Sequence, residues 1–235
     1  MTKNSTLDLE YRVLKRMKEI GWENLTPVQM KSYPVILRRK SSLLLAPTGS
    51  GKTEAAVIPL FTLLGSEKLH HKSIKMLYVT PLKALNRDIL RRVIGYAESA
   101  GLSVQVRHGD TSLSARRKMT DNPPDVMITT PETLAILLTS KKMRLNLTLL
   151  EWIVVDELHE LLGNERGSHL AISLERLEEL SENKIVRIGL SATVANITEA
   201  AKFLVGSYRK CAVIIDRSER KYHIECKQIE GPVPE

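Results

Sequence analysis

The sequence predicts an α/β fold, a mostly parallel sheet with helices on both faces. Three observations carry this expectation. Short apolar runs alternate with segments of helical periodicity along nearly the whole chain, and that alternation builds parallel sheets. The 235 residues are 43% hydrophobic but only 4% aromatic, so the core is aliphatic, as in strands buried on both faces. The chemically distinctive clusters fall at the carboxyl ends of apolar runs, the rim at which such sheets bind ligands.

Taken in order, residues 9–20 form a charged, helix-prone segment that Gly21 ends. Thr26 before Pro27 is a helix start, a hydroxyl cap followed by proline at the first helical position. Gln29 then falls in the first turn. Its amide offers a donor and an acceptor, the pair that reads the N6 and N7 edge of adenine, although a first-turn glutamine can equally be a solvated residue. Leu43-Leu44-Leu45 reads as a buried strand and 54–64 as a helix. Residues 75–80 form a strand ending at Pro81, and 83–100 a helix carrying Arg87, Arg91 and Arg92, with Arg87 and Arg91 on one face. A strand over 103–106 leads into Arg107-His108-Gly109-Asp110-Thr111. A basic helix with Arg116, Arg117 and Lys118 runs to the breaker Asn122-Pro123-Pro124. Residues 125–130 form the next strand, and Pro131 starts the next helix. The most apolar strand, Trp152-Ile153-Val154-Val155, ends in the pair Asp156-Glu157. A helix over 168–181 places Leu170, Leu174 and Leu177 on one stripe. Residues 184–190 are a strand with Ser191-Ala192-Thr193 at its end, and 212–215 and 222–229 are late strands.

Between the first strand and its helix lies Ala46-Pro47-Thr48-Gly49-Ser50-Gly51-Lys52-Thr53. Gly49 and Gly51 permit backbone conformations that a β-carbon hinders, so the amides from Thr48 through Ser50 to Gly51 can converge on an anion. The loop opens onto a helix N-terminus, where unpaired amides and the macrodipole favour negative charge. Lys52 can reach the β- and γ-phosphates of a nucleotide, and the Thr53 hydroxyl can ligate Mg²⁺. The pattern is G-x-x-x-x-G-K-[ST] with one departure, Ala46 for the first glycine, which a negative φ tolerates.

Such a loop needs a second Mg²⁺ anchor, and an acidic residue after a hydrophobic strand supplies it. Asp156 fits, and Glu157 can orient and deprotonate an attacking water. Taken alone, the pair is also an ordinary acidic helix start. His159 can hydrogen-bond Ser191 or Thr193 if those strand ends are neighbours, whereas His70, His71, His169 and His223 read as ordinary surface or core residues. The net charge of +8 suits a polyanionic partner or a plain solvated basic surface. Cys211 and Cys226 are too few for a disulfide framework and lack metal-site spacing. No apolar run approaches the ~20 residues of a membrane span, and the first residues lack a signal-peptide pattern. A soluble cytoplasmic protein with no membrane partner and no obligate oligomer is the expectation.

A-P-T-G-S-G-K-T, P-L-K-A-L-N-R-D, T-P-E-T-L, D-E-L-H and S-A-T, in this order, resemble motifs I, Ia, Ib, II and III of superfamily 2 helicases. T-P-V-Q resembles their upstream glutamine motif. R-H-G-D-T, N-E-R-G-S-H-L-A-I-S-L-E-R-L and R-I-G-L-S-A-T-V are similar to segments of the large helicase-related (Lhr-like) proteins of archaea and bacteria. The resemblance implies a RecA-like P-loop NTPase domain that uses ATP and Mg²⁺. It implies Gln29 on adenine, Lys52 and Thr53 on phosphates and metal, and Asp156 and Glu157 on metal and water. Ser191 and Thr193, with His159, would couple the ATP state to strand movement. Leu82, Lys83, Ala84, Arg87, Gly109, Asp110, Thr130 and Pro131 would contact the backbone of single-stranded DNA or RNA. Amides and hydroxyls at helix starts bind phosphates in this way without reading sequence.

Motors of this kind use two RecA-like domains with ATP in the cleft, the second supplying arginine fingers worth ~10³–10⁵ in rate. The sequence contains no second phosphate loop and no Q-x-x-G-R-x-G-R-like segment. The expected organisation is an N-terminal helical segment and glutamine-motif region over 1–28 and a first RecA-like domain over 29–216. Residues 217–235 would be a strand and linker towards a second RecA-like domain absent from this sequence. By itself such a fragment should bind ATP weakly, hydrolyse little and unwind nothing. A transporter ATPase would instead carry an L-S-G-G-Q-like signature, and none is present.

Overall fold

The structure, a computed structural model, describes residues 11, 14–19, 21–66, 73–81 and 87–217. Leu82, Lys83 and Ala84, His70 and His71, and everything expected beyond 217, including the strand over 222–229, lie outside the described residues.

A helical stretch over 14–19 precedes α1 (Pro27–Leu37). Thr26 is the N-cap of α1 in extended conformation with Pro27 in the first turn, but its hydroxyl makes no cap hydrogen bond; the Gln29 side chain instead reaches back to accept the Thr26 N–H. Then follow β1 (Ser42–Leu45), α2 (Lys52–Ser66), β2 (Met76–Val79), α3 (Arg87–Ser99) and β3 (Val104–Arg107). The chain continues through α4 (Leu113–Asp121), β4 (Val126–Thr129), α5 (Pro131–Leu137), α6 (Lys141–Asn146) and β5 (Trp152–Val155). It closes with α7 (Glu165–Leu180), β6 (Val186–Ser191), α8 (Ile197–Val205) and β7 (Ala212–Ile215). The helix expected over 168–181 starts earlier, at Glu165, because the Asn164 side chain accepts the Gly167 N–H at 3.0 Å and fixes the first turn there. Helices α6 and α8 have no counterpart among the sequence expectations.

The seven strands form one sheet in the order β3-β4-β2-β5-β6-β1-β7, and every neighbouring pair is parallel. The expected fold class is borne out. β1, β2, β4, β5 and β6 are buried along their whole length, whereas the edge strands β3 and β7 are partly exposed. Alternate side chains enter two separate apolar layers, since successive Cβ atoms point to opposite faces. Leu44, Met76, Tyr78, Trp152 and Val154 pack with Ile36, Ala55, Leu60, Leu64 and Val93 of α1, α2 and α3. Leu43, Leu45, Leu77, Val79, Ile153 and Val155 pack with Leu134, Met143, Leu170, Leu174 and Leu204 of α5 to α8. Two such layers hold the sheet, and therefore its rim, rigid.

Candidate nucleotide and magnesium site

Because all seven strands point the same way, their carboxyl ends share one rim, and strand order sorts the motifs along it. The adjacent strands β5, β6 and β1 bring Asp156-Glu157, Ser191 and the loop 46–53 to one half. The adjacent strands β3, β4 and β2 bring Gly109-Asp110, Thr130-Pro131 and Pro81 to the other.

In the loop, Gly49 and Gly51 have φ of +74° and +86°, the left-handed region that glycine tolerates. Gly51 is also required sterically: a Cβ there would lie 2.6 Å from Gln29 Nε2 and 3.0 Å from Trp22. Lys52 begins α2 and is buried, its Nζ donating to the carbonyls of Ala46 at 2.7 Å and Pro47 at 3.0 Å. Burial pulls the Lys52 pKa down, while the charges of Glu157 and then Asp156 push it back up. Loop and acidic pair thus share one electrostatic site.

Asp156 is 5% exposed. Its Oδ1 accepts the Glu157 N–H at 2.9 Å, and its Oδ2 accepts the Tyr78 hydroxyl. Desolvation raises its pKa to about 6, against the Tyr78 and backbone hydrogen bonds and the Lys52 charge; Glu157 adds to the rise. Thr53, at the start of α2, lowers the pKa of the same Tyr78 hydroxyl, so Thr53 and Asp156 both act on a single phenol. Tyr78 is absent from the sequence expectations, because a tyrosine within an apolar strand reads as core. Burial, then Asp156, raises its own pKa well above the usual range.

Glu157 adopts φ +49°, ψ +45°, a left-handed conformation that costs a non-glycine residue on the order of 1–2 kcal/mol. This turn starts a short 3₁₀ segment, Leu158–Glu160, and swings His159 back over the rim. His159 Nδ1 lies 3.2 Å from Ser191 Oγ and 3.4 Å from Glu157 Oε2. Of the two partners expected for His159, the geometry selects Ser191; Thr193 is exposed.

Gln29 differs from the picture of a first-turn amide open to a base. It is fully buried: Oε1 accepts the Thr26 N–H at 2.9 Å, and Nε2 donates to Gly51 O at 3.4 Å. The side chain ties the cap of α1 to the phosphate loop, so reading a base would mean exchanging one of these bonds. Thr48 and Gly49 are exposed, and Ser50 is half-buried with its Oγ unpartnered.

On the other half, Gly109 and Asp110 are exposed, and the Arg116 guanidinium donates to Gly109 O. Thr130 is buried, with its Oγ1 accepting the Thr133 N–H at 3.3 Å to cap α5; Pro131 opens that helix and is buried as well. Arg87 opens α3. Arg92 lies further along α3 and donates at 2.8 Å to the buried carboxylate of Glu54, which follows Thr53 in α2. Sequence reading treats Arg92 as one more basic residue; the structure makes it the tie between the phosphate helix and α3.

Among the described residues no cluster of three or more His, Cys, Asp or Glu side chains forms a protein-only metal cage. Thr53 and Asp156 supply one hydroxyl and one carboxylate oxygen. Such a sparse, hard-oxygen set suits Mg²⁺, which keeps waters and shares its ligands with substrate phosphates. The residues present fit the metal.

A phosphate loop between β1 and α2, an acidic pair on β5 and the polar end of β6, all on one rim, define a RecA-like nucleotide-binding domain. Residues 26–200 match the family model of the DEAD/DEAH box helicases, and the chain belongs to that family. It is 39% identical over 220 residues to the ATP-dependent helicase Lhr-Core of Sulfolobus acidocaldarius, covering 88% of this chain and 25% of that protein. It is 42% identical over 224 residues to the Lhr-Core of Methanocaldococcus jannaschii, covering 88% of this chain and 26% of that protein. The Mycobacterium smegmatis helicase Lhr, solved with ssDNA and AMP-PNP, superposes with a TM-score of 0.78 at 37% identity, covering 89% of this chain and 28% of that one. The chain therefore spans about a quarter of the length of the relatives it matches. Among the described residues no helix is long and apolar enough to cross a membrane.

Proposed function

We propose that residues 29–216 act as the first motor domain of an Lhr-like ATP-dependent helicase. In this reading the domain couples ATP binding and hydrolysis to translocation on single-stranded DNA or RNA. The observation that carries this reading is the electrostatic coupling of the loop residue Lys52 to Glu157 and Asp156 on one rim, with Asp156 held by Tyr78 and the Glu157 N–H.

The loop amides from Thr48 to Gly51 bind the phosphates, and Lys52 exchanges the carbonyls of Ala46 and Pro47 for phosphate oxygens. Thr53 and Asp156 would hold Mg²⁺, which when bound would offset charge on the phosphate oxygens. Glu157, beside Asp156 but more exposed, orients and deprotonates the attacking water. Gln29 reaches adenine by exchanging its bond to Thr26 or to Gly51, and His159 with Ser191 and Thr193 passes the nucleotide state along the rim. The nucleic-acid backbone contacts Gly109, Asp110, Thr130 and Pro131, and Leu82, Lys83, Ala84 and Arg87 are proposed as further contacts to it. Transition-state arginines come from a second RecA-like domain, so the 235-residue chain binds nucleotide with little turnover and no unwinding.

Calorimetric titration of the chain with Mg·ATP tests this directly. Binding should be lost in Lys52→Ala, while affinity for single-stranded DNA and RNA stays within about twofold and weakens steeply with salt. Undiminished Mg·ATP binding by Lys52→Ala would sink the proposal.

A further inference from the structure

Tyr78 is 1% exposed on β2, in the middle of the sheet. Its strand neighbours Met76, Leu77 and Val79 are apolar and fully buried, so packing alone needs no hydroxyl there. A buried hydroxyl without a partner is costly, and this one is satisfied by Asp156 Oδ2. The Glu157 N–H independently holds Asp156 Oδ1 at 2.9 Å. A carboxylate restrained at both oxygens has a fixed plane, yet each oxygen keeps a second lone pair for a cation. Thr53, the other oxygen donor, comes from a different element and acts on the same phenol.

We propose that Tyr78 is a positioning residue of the magnesium site, its hydroxyl setting the Asp156 carboxylate in the orientation that a nucleotide-bound Mg²⁺ uses. The inference rests on the nucleotide reading above and adds to it a residue on β2 that determines metal affinity. Outer partners of metal ligands typically change that affinity 10–100-fold.

The test is ADP binding by the 235-residue protein across a range of Mg²⁺ concentrations and in EDTA, native against Tyr78→Phe. Metal-free ADP affinity should stay within about twofold, the half-saturating Mg²⁺ concentration should rise about 10–100-fold, and excess Mg²⁺ should restore native affinity. Tyr78→Leu, which keeps the strand apolar without the ring, should give the same shift. An unchanged Mg²⁺ dependence overturns the inference, as does an equal loss of ADP binding with and without metal, which would mark a packing role. If the native chain binds no ADP under either condition, the nucleotide reading itself fails.

Discussion

The imidazole Nδ1 of His159 lies 3.2 Å from the hydroxyl of Ser191, joining the turn after β5 to the end of β6. The same nitrogen is 3.4 Å from Glu157, so one ring touches both the acidic pair and the neighbouring strand end. Glu157 holds its left-handed conformation where this bridge begins. A strained turn persists only when its surroundings over-determine it, and the His159 contacts are part of that support.

A double-mutant cycle measures the bridge. His159→Ala and Ser191→Ala should each destabilise the protein modestly, with a coupling energy of about 0.5–1.5 kcal/mol between them in urea unfolding. In the proposed mechanism, His159→Ala also leaves ADP affinity within about twofold while removing the mutual enhancement of ATP and single-strand binding. Full additivity of the two substitutions would show that the bridge carries no energy in solution.

Gly51→Ala should damage the loop twice. The residue has φ +86°, which costs an alanine about 1–2 kcal/mol, and the new Cβ would meet Gln29 Nε2 at 2.6 Å. Gln29 must then move, which releases the Thr26 N–H it accepts and loosens the start of α1. A lowered urea midpoint together with weakened nucleotide binding is the expected result. Gln29→Ala should relieve the clash and recover part of the stability in the double variant.

The strands were legible because burial on both faces leaves short, nearly unbroken runs such as Leu43-Leu44-Leu45 and Trp152-Ile153-Val154-Val155. The rim followed from parallel topology alone, since loop, acidic pair and Ser191 each end a strand. Helix α6 was not legible: its six residues make less than two turns, too short for a period to register. Helix α8 carries Ala200 and Leu204 on a buried stripe, but its capping Asn196 follows so soon after Ser191-Ala192-Thr193 that the segment reads as loop. Tyr78 and Gln29 show the deeper limit. Tyr78 meets Asp156 from 78 positions away and Gln29 meets Gly51 from 22 away, and nothing local encodes either contact.

The pKa of Asp156, raised to about 6 from an ordinary 3.8, predicts how stability responds to pH. Below about pH 4 the carboxyl is protonated in both folded and unfolded chains. Between about 4 and 6 the folded chain keeps a proton that the unfolded chain has lost, so this group's contribution falls as pH rises through that window. The loss is on the order of 2–3 kcal/mol and levels off above the folded pKa. Asp156→Asn should remove that component of the urea-midpoint profile between pH 4.5 and 7. In the proposed site Mg²⁺ needs the ionised carboxylate, so Mg·ADP affinity should increase as pH rises through about 6, and metal-free affinity should follow this trend far less.

Arg187 anchors the strand that ends in Ser191, and its removal should be the most damaging core substitution among these. The side chain is 1% exposed and donates to Glu175 at 2.8 Å, Glu178 at 2.9 Å, and the carbonyls of Leu174 and Leu204 at 3.0 and 3.2 Å. It thereby ties β6 to α7 and α8 at once. Arg187→Met keeps much of the volume but leaves Glu178 and two carbonyls without their donor. Breaking a buried pair from one side typically costs about 3–5 kcal/mol, whereas replacing all partners together can be nearly neutral. Urea unfolding of Arg187→Met should therefore show a loss of that order, and adding Glu178→Leu should recover part of it. A loss below about 1 kcal/mol would mean that the cluster tethers the helices without stabilising them, since ordinary surface pairs reach only that level.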